Sequence, residues 1–187
     1  YQDTKHILEK YDLWNRSPEV IRRHIQDGVE RRVEETPKPG DQRFSRVVNF
    51  IIANNKIALD AMRQEAERMS LNSLILSSMI EGEARHIGTI LAGIAREVHV
   101  NDRPVKKPGV VIAGGESTVT ILGKGVGGRN QETMLSVARK IAGLRGVALA
   151  SIGTDGVDGV TDAAGAIVDG QTTAKAEGDG FVINGRK

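Results

Sequence analysis

Residues 109–165 read GVVIAGGESTVTILGKGVGGRNQETMLSVARKIAGLRGVALASIGTDGVDGVTDAAG and carry the strongest fold signal in the chain. This stretch contains three apolar, β-branched runs, each of which predicts a buried strand: residues 110–113, 119–122 and 147–152. Residues 131–142 show helical spacing. Thirteen of the chain's 22 glycines fall here, and nine of them lie in the loops that follow the apolar runs, residues 114–118, 123–128 and 153–162. Glycine is retained where the backbone needs a positive φ or must approach something closely. These loops also carry Lys, Arg, Ser, Thr and Asp at predicted strand ends, so they predict an anion-binding site.

Strand and helix patterns also alternate upstream of this stretch. The pattern predicts two strands and two amphipathic helices, in the order strand 47–53, helix 58–69, strand 74–76 and helix 84–98. Followed by residues 110–113, this order predicts an α/β fold with a parallel sheet and right-handed crossovers. The first 33 residues are helical in pattern, with Ser17 as a predicted N-cap and Pro18 at the first helical position.

A proline-containing linker predicts a domain boundary. Residues 101–109 read NDRPVKKPG, and two prolines in nine residues are typical of an irregular connection. We therefore expect two domains, residues 1–103 and residues 104–187. The first is predicted as an α/β segment, and the second as a smaller, glycine-rich α/β or α+β segment.

Composition excludes several classes of function. The formal net charge is only +2, and no basic block exceeds two residues, so no nucleic-acid partner is expected. The absence of cysteine excludes disulfides, thiolate metal sites and cysteine catalysis. No signal peptide and no apolar run of membrane-spanning length is present, which predicts a cytoplasmic protein without a membrane partner.

The loop GKGVGG, residues 123–128, precedes a predicted helix, and backbone amides in that arrangement can cradle a phosphate. Lys124 and Arg129 would add charge-assisted bonds. The other predicted contacts here are Gly127, Gly128 and Asn130. The loop also matches the dinucleotide-binding pattern G-x-G-x-x-G. In that pattern an acidic residue at a strand end follows about 20 residues later, whereas here the next such acid, Asp155, lies 27 positions after Gly128. A flexible loop with solvated charges is the structural alternative.

A second loop, GGEST at residues 114–118, follows a predicted strand, where open α/β sheets bind ligands. Gly114 and Gly115 would allow close approach of a nucleotide, and Ser117 would contact a phosphate oxygen. Glu116 would face a metal ion. The alternative is a glycine turn with a solvated glutamate.

The third loop, residues 153–162, places three aspartates within eight residues. Mg²⁺ prefers a few carboxylates together with substrate phosphate oxygens, so Asp155 and Asp158 are predicted metal ligands. Thr154 and Asp155 are predicted nucleotide contacts. A surface turn rich in Asp and Gly would have the same composition.

Two charged residues stand where the predicted strand 74–76 leads into the next helix. Arg85 would reach an anion at the strand ends, and Glu81 would act as a base or a metal contact. Charged residues of a helix's first turn are also common for a different reason, because the helix dipole favours acids there.

Five motifs in register resemble the glycerate 2-kinase family of bacteria and archaea, two-domain enzymes whose C-terminal part is called the MOFRL domain. The motifs are ETPKPGD at residues 35–41, ILSSMIEGEAR at 75–85, GGESTVT at 114–120, GKGVGGRNQE at 123–132 and GTDGVDGVTDAAGA at 153–166. Their order and spacing match the family from residue 10 to residue 172.

The resemblance implies phosphorylation of D-glycerate at its 2-hydroxyl, with ATP as phosphoryl donor and Mg²⁺ as cofactor. It implies that residues 1–103 are the C-terminal part of a Rossmann-like domain and that residues 104–187 form an incomplete MOFRL-like domain, with the site in the cleft between them. It also places at Arg129 the family arginine that acts on the transferring phosphate. We accordingly predict Arg129 and Glu116 as catalytic, and Glu81 and Arg85 as substrate-binding.

The chain also departs from the family pattern. Family members carry a longer N-terminal domain with an active-site lysine, and a C-terminal ending, that have no counterpart here, so the chain is expected to be a fragment. Two other functions stay open: an NAD(P)-dependent hydroxypyruvate reductase, and a non-catalytic nucleotide-binding module. A homodimer is compatible with each of the three.

Overall fold

The predicted α/β architecture with a parallel sheet is confirmed in the computed structural model, which describes residues 1–177 and 180–184. The chain forms two structural units, residues 1–51 and residues 52–187. The sequence-based boundary between residues 103 and 104 lies inside the second unit, and as a boundary between domains of the protein it stays a prediction.

The first unit contains two helices, α1 (Gln2–Lys10) and α2 (Glu19–Val29), and a short 3₁₀ turn at Gln42–Phe44. The predicted cap of α2 is shifted by one residue. Pro18 occupies the N-cap position with extended backbone, and the Ser17 hydroxyl donates instead to a carbonyl oxygen of the preceding turn, 2.9 Å away.

The second unit is built on a β-α-β element. Strands β1 (Asn72–Glu83) and β2 (Gly109–Thr118) pair in parallel, and α4 (Ala84–Asn101) connects them. The preceding helix, α3 (Asn55–Arg68), packs against both strands. A parallel pair needs a crossover of this length, and the alternating sequence pattern anticipates it.

Two predicted strands are wrong. Residues 47–53 and 119–122 are irregular, and all of their apolar side chains except the half-buried Val119 are exposed, with Ile52 at 92% and Ile121 at 83%. An apolar β-branched run becomes a strand only where a neighbouring strand supplies hydrogen bonds to its backbone. Among the described residues, neither run has such a neighbour.

The core of the second unit surrounds α5 (Arg129–Ile141). This helix packs against α4 and against an antiparallel pair, β3 (Ala148–Ile152) and β4 (Gly165–Asp169). The buried residues are Ala92, Met134, Val137, Ala138, Ile141 and Val168. A further antiparallel pair follows, formed by β5 (Thr173–Glu177) and β6 (Gly180–Asn184). None of the described helices combines the length and apolar character that crossing a membrane requires.

Small residues on α4 bring it close to α5. Ala84, Gly88 and Ala92 recur every four residues on one face of α4 and are buried. A methyl group added at Gly88 would meet the backbone oxygen of Thr133 and would lie 2.8 Å from Cβ of Ser136. The contact between the two helices therefore depends on the absence of a side chain at this position.

We predict that Gly88→Ala destabilises the protein by about 1–3 kcal/mol, because the added methyl group meets a backbone atom that cannot turn away. Gly93→Ala is the matched control. It lies on the same helix with nothing within 4 Å of the added carbon, so higher helix propensity should stabilise the protein by about 0.5–1 kcal/mol. Urea denaturation measures both changes, and equal effects of the two substitutions would contradict the close contact.

Candidate functional site

The candidate site lies at the carboxyl ends of β1 and β2. In the parallel register Glu81 stands opposite Glu116, and Glu83 stands opposite Thr118. The carboxyl ends of parallel strands are where open α/β sheets bind ligands. The predicted acidic and small polar residues of two separate motifs are thus brought to one edge of the sheet.

Arg129 is the first residue of α5, and its side chain reaches the end of β2. The guanidinium forms an ion pair with the Glu116 carboxylate, and Nη1 donates to the carbonyl oxygen of Ser117 at 3.4 Å. The two predicted catalytic residues therefore touch each other. Their side chains are 44% and 71% exposed, so water screens the pair and an incoming anion can compete for the arginine.

Asp158 lies on the other side of the same helix terminus, and only 1% of it is exposed. Its Oδ2 accepts a hydrogen bond from the backbone N–H of Gln131 at 2.8 Å. Its Oδ1 accepts from the backbone N–H of Asn130 at 3.0 Å and from the Asn130 side chain at 3.1 Å. A carboxylate at this place caps the helix, since it satisfies first-turn donors and complements the helix dipole.

This cap removes two backbone donors from the predicted phosphate-binding site at the start of α5. Two first-turn N–H groups of α5 are already hydrogen-bonded to a carboxylate of the protein. Gly128 serves the same contact, because a side chain there would collide with Asp158. An anion at this end of α5 is left with the amides of residues 123–129, the exposed Lys124 and the Arg129 side chain.

The GGEST motif was predicted to be a loop, but it forms the last five residues of β2, where pairing with β1 continues to Thr118. Its glycines have packing reasons. A Cβ at Gly114 would meet the side-chain amide of Asn55, which donates to the Ser78 carbonyl oxygen at 2.6 Å. A Cβ at Gly115 would meet the backbone of Ile80 on the neighbouring strand. Close approach of protein to protein accounts for both positions, and their predicted contact with nucleotide stays a prediction.

The predicted metal ligands Asp155 and Asp158 have different surroundings. Asp155 is exposed and accepts one hydrogen bond, from the Val157 N–H at 3.2 Å, whereas Asp158 is buried against α5. Thr154 is exposed in the same turn. Within the described residues, no group of three or more His, Asp or Glu side chains that could hold a metal ion is found. Metal binding by these two aspartates stays a prediction.

Arg85 is held in a network that the sequence did not reveal. Its Nη2 donates to the Thr120 carbonyl oxygen at 3.1 Å and lies 3.7 Å from Glu83 Oε2. Its Nε lies 3.1 Å from Glu132 Oε1, an ion pair without hydrogen-bond geometry. Arg85 thus joins β1, α5 and the segment after β2, while Glu81 beside it is exposed. The predicted role of both residues in substrate binding is untested.

Glu83 fixes the irregular segment that follows β2. Its Oε1 accepts from the Thr120 hydroxyl at 2.6 Å, and its Oε2 accepts from the Thr120 N–H at 3.2 Å. Both hydrogen bonds lower the pKa of Glu83 below its usual 4.5, and the bond from the Thr120 hydroxyl contributes more than the bond from the Thr120 backbone. The sequence indicated an acidic residue before α4 at position 83. It did not indicate the hydrogen-bond partner, because Thr120 lies 37 residues away in the chain.

Comparison with known proteins agrees with the motifs. Residues 109–185 match the MOFRL family model. The chain is 45% identical to glycerate 2-kinase of Pyrococcus horikoshii over 184 residues, 98% of this chain. The chain is homologous to the glycerate 2-kinases, and its residues 109–185 belong to the MOFRL family. The resemblance inferred from the sequence is confirmed.

A solved structure extends the agreement to the fold. A crystal structure of glycerate kinase from Thermotoga maritima is 41% identical, matches with a TM-score of 0.71 and covers 90% of this chain. A protein of Agrobacterium vitis provisionally named a hydroxypyruvate reductase is 39% identical over 168 residues, 89% of this chain. The chain spans about two fifths of the length of these relatives, 41% for the Pyrococcus protein and 36% for the Agrobacterium protein.

We predict that Thr120→Val raises the pKa of Glu83 toward 4.5, because the substitution removes the hydroxyl that contributes most to the shift. Thr120→Ser keeps the hydroxyl and should leave the pKa low. Carboxyl carbon NMR titration measures both.

The same shift fixes the sign of a stability effect. Glu83 has a lowered pKa in the folded state, so its contribution is complete above the usual value of 4.5 and is lost as pH falls through the lowered value. The acid limb of the stability curve should be flatter in Thr120→Val than in Thr120→Ser, and coincident limbs would contradict the assignment.

Proposed function

We propose that the protein carrying this chain transfers the γ-phosphoryl group of ATP to the 2-hydroxyl of D-glycerate, giving 2-phosphoglycerate. The observation that carries the proposal is the place of Arg129: at the start of α5, beside the carboxyl ends of two parallel strands, with its guanidinium exposed. The 45% identity with a glycerate 2-kinase supports the same reaction.

Arg129 suits the electrostatic work of phosphoryl transfer. That reaction needs little covalent chemistry from the protein, but charge on the equatorial oxygens of the transferring group must be held and neutralised. A guanidinium can donate two parallel hydrogen bonds to such oxygens. Glu116 pairs with the guanidinium, and we propose that the transferring phosphate takes the place of that carboxylate.

Some groups near Arg129 suit a nucleotide or a divalent cation, and one predicted metal ligand does not. Lys124 and the amides of residues 123–127 are exposed and suit polyphosphate oxygens. The exposed carboxylates of Glu116 and Asp155 are ligands of the kind that Mg²⁺ prefers. When bound, Mg²⁺ would neutralise phosphate charge. Asp158 fits a metal poorly, because both of its oxygens already accept hydrogen bonds from α5.

Substrate binding by Arg85 would require a rearrangement. Its guanidinium is shared among a carbonyl oxygen and two carboxylates. Contact with the carboxylate of glycerate therefore means giving up part of that network. Glu81, exposed at the end of β1, meets no such obstacle as a contact to the substrate hydroxyls.

The reductase alternative is supported by the name of the Agrobacterium protein and by the G-x-G-x-x-G spacing. The fold weakens the second argument. A dinucleotide fingerprint places its first glycine directly after a strand, whereas β2 ends at Thr118 and residues 119–122 are irregular before Gly123. We therefore favour phosphoryl transfer over hydride transfer.

The test is D-glycerate-dependent release of ADP from Mg-ATP by the full-length protein, with Arg129→Ala beside it. We predict a fall in kcat of about 10²-fold or more, because the guanidinium is lost from the transferring phosphate. Arg145→Ala is the control, since it removes an exposed arginine from the loop after α5 and should leave kcat unchanged.

Other outcomes separate the alternatives. Unchanged turnover in Arg129→Ala would keep the kinase and overturn the role of the arginine. Oxidation of NADH with hydroxypyruvate, without ADP release, would replace the proposal by the reductase. Nucleotide affinity without turnover in the full-length protein would indicate a binding module.

A further inference from the structure

The buried Asp158 carboxylate has no direct access to a ligand, yet it touches the element that carries Arg129. We propose that Asp158 is a positioning residue for Arg129. Its carboxylate fixes the first turn of α5 and with it the point from which the guanidinium extends. The catalytic part of this inference rests on the proposed phosphoryl transfer, whereas the anchoring itself does not.

The hydrogen bonds show how firmly the helix start is held. Three N–H groups from Asn130 and Gln131 converge on the carboxylate, at 2.8, 3.0 and 3.1 Å. These are the two residues that directly follow Arg129. A buried charge is tolerated where its oxygens accept several hydrogen bonds, and this one also faces the positive end of a helix dipole.

The loop that carries Asp158 is itself pressed against the glycine loop. Gly159 has a φ of +64°, and a Cβ there would lie 2.7 Å from the carbonyl oxygen of Gly127. Glycine at both contact points, 128 and 159, lets the two backbones approach closely. The position of Asp158 relative to α5 is therefore set by backbone packing as well as by hydrogen bonds.

Neighbouring side chains extend the anchor on both sides. The Gln131 amide donates to the Thr161 hydroxyl at 2.8 Å, and that hydroxyl donates to the Asp158 carbonyl oxygen at 2.8 Å. On the other side, the Ser151 hydroxyl of β3 donates to the Asn130 side-chain oxygen at 2.6 Å. The first turn of α5 is thereby tied to β3 and to the loop of residues 158–161.

Arg129 needs such an anchor because its side chain is long and half exposed, and within the described part of the chain its guanidinium has partners only at the end of β2. When a ligand takes the place of Glu116, the backbone of the first helical turn becomes the remaining fixed reference for the guanidinium. Misplacement of a catalytic group by 1 Å can reduce a rate by about 10²-fold. A carboxylate that never touches substrate can thus control the rate.

The test is Asp158→Asn in the full-length protein, which keeps the shape but removes the charge and turns an NH₂ group toward backbone donors. We expect kcat for D-glycerate phosphorylation to fall by about 10²-fold. KM for ATP and for D-glycerate should stay within about threefold, and the Mg²⁺ requirement should be unchanged. In the Arg129→Ala background, Asp158→Asn should reduce kcat further by less than about threefold, because the two residues act as one unit.

Asp169→Asn is the matched control. Its carboxylate accepts from the N–H groups of Gln171 and Thr172, both at 2.9 Å, but it holds the turn after β4 rather than α5. Its loss should leave kcat unchanged even where unfolding by urea shows lower stability.

Where Asp158→Asn does not fold, Thr161→Val removes the outer hydrogen bond from Gln131 and should lower kcat by about threefold to tenfold.

Three results would overturn the inference: unchanged kcat in the folded variants, an equal loss in the wild-type and Arg129→Ala backgrounds, or a raised Mg²⁺ requirement, which would make Asp158 a metal ligand. Amide hydrogen exchange of residues 128–133 in the same proteins separates this inference from the proposed function. Exchange should be at least about tenfold faster in Asp158→Asn than in Asp169→Asn. Faster exchange in a protein without kinase activity would refute the proposed function alone, whereas kinase activity with unchanged exchange would refute the anchor.

Discussion

Burial of α5 is the constraint on which the rest of the second unit depends. The helix sends Met134, Val137 and Ile141 into the core, and full burial of such side chains stabilises a protein by about 1.5–3 kcal/mol each. The strands β3 and β4 cover one side of this helix, and the small-residue face of α4 covers another. Because the same helix begins at Arg129, the hydrophobic core and the candidate site share one rigid element.

Much of the fold was predictable because local periodicity reflects burial. The helices α3, α4 and α5 each carry a pattern that matches their packing. The apolar runs at residues 74–76 and 110–113 mark only parts of β1 and β2, whose continuations are polar or rich in glycine. The failures at residues 47–53 and 119–122 have one cause: a strand needs a partner, and an apolar run does not say whether one is present. Residues 147–152 do contain β3, but its antiparallel pairing with β4 depends on a strand that local pattern did not single out.

The candidate site was predictable in its residue types and less so in its contacts. Glu116 and Arg129 were both predicted as catalytic residues, but their direct ion pair depends on where the fold places the start of α5 relative to β2. The capping role of Asp158 did not follow, because an aspartate in an Asp/Gly-rich loop fits a metal site, a turn or a distant helix terminus equally well. Its hydrogen-bond partners lie 27 and 28 positions earlier in the chain, and only the folded backbone connects them.

In the proposed phosphoryl transfer, the ion pair between Arg129 and Glu116 would bear on the end of the catalytic cycle as well as on its start. A guanidinium that gripped phosphate without a competitor would retain the phosphorylated product. A carboxylate within reach offers the arginine an alternative partner once the phosphoryl group has left the nucleotide. Recapture by Glu116 would then speed dissociation of 2-phosphoglycerate, at the expense of weaker initial binding. In the proposed reaction, the acid beside the arginine would thus set a balance between holding the substrate and clearing the site for the next turnover.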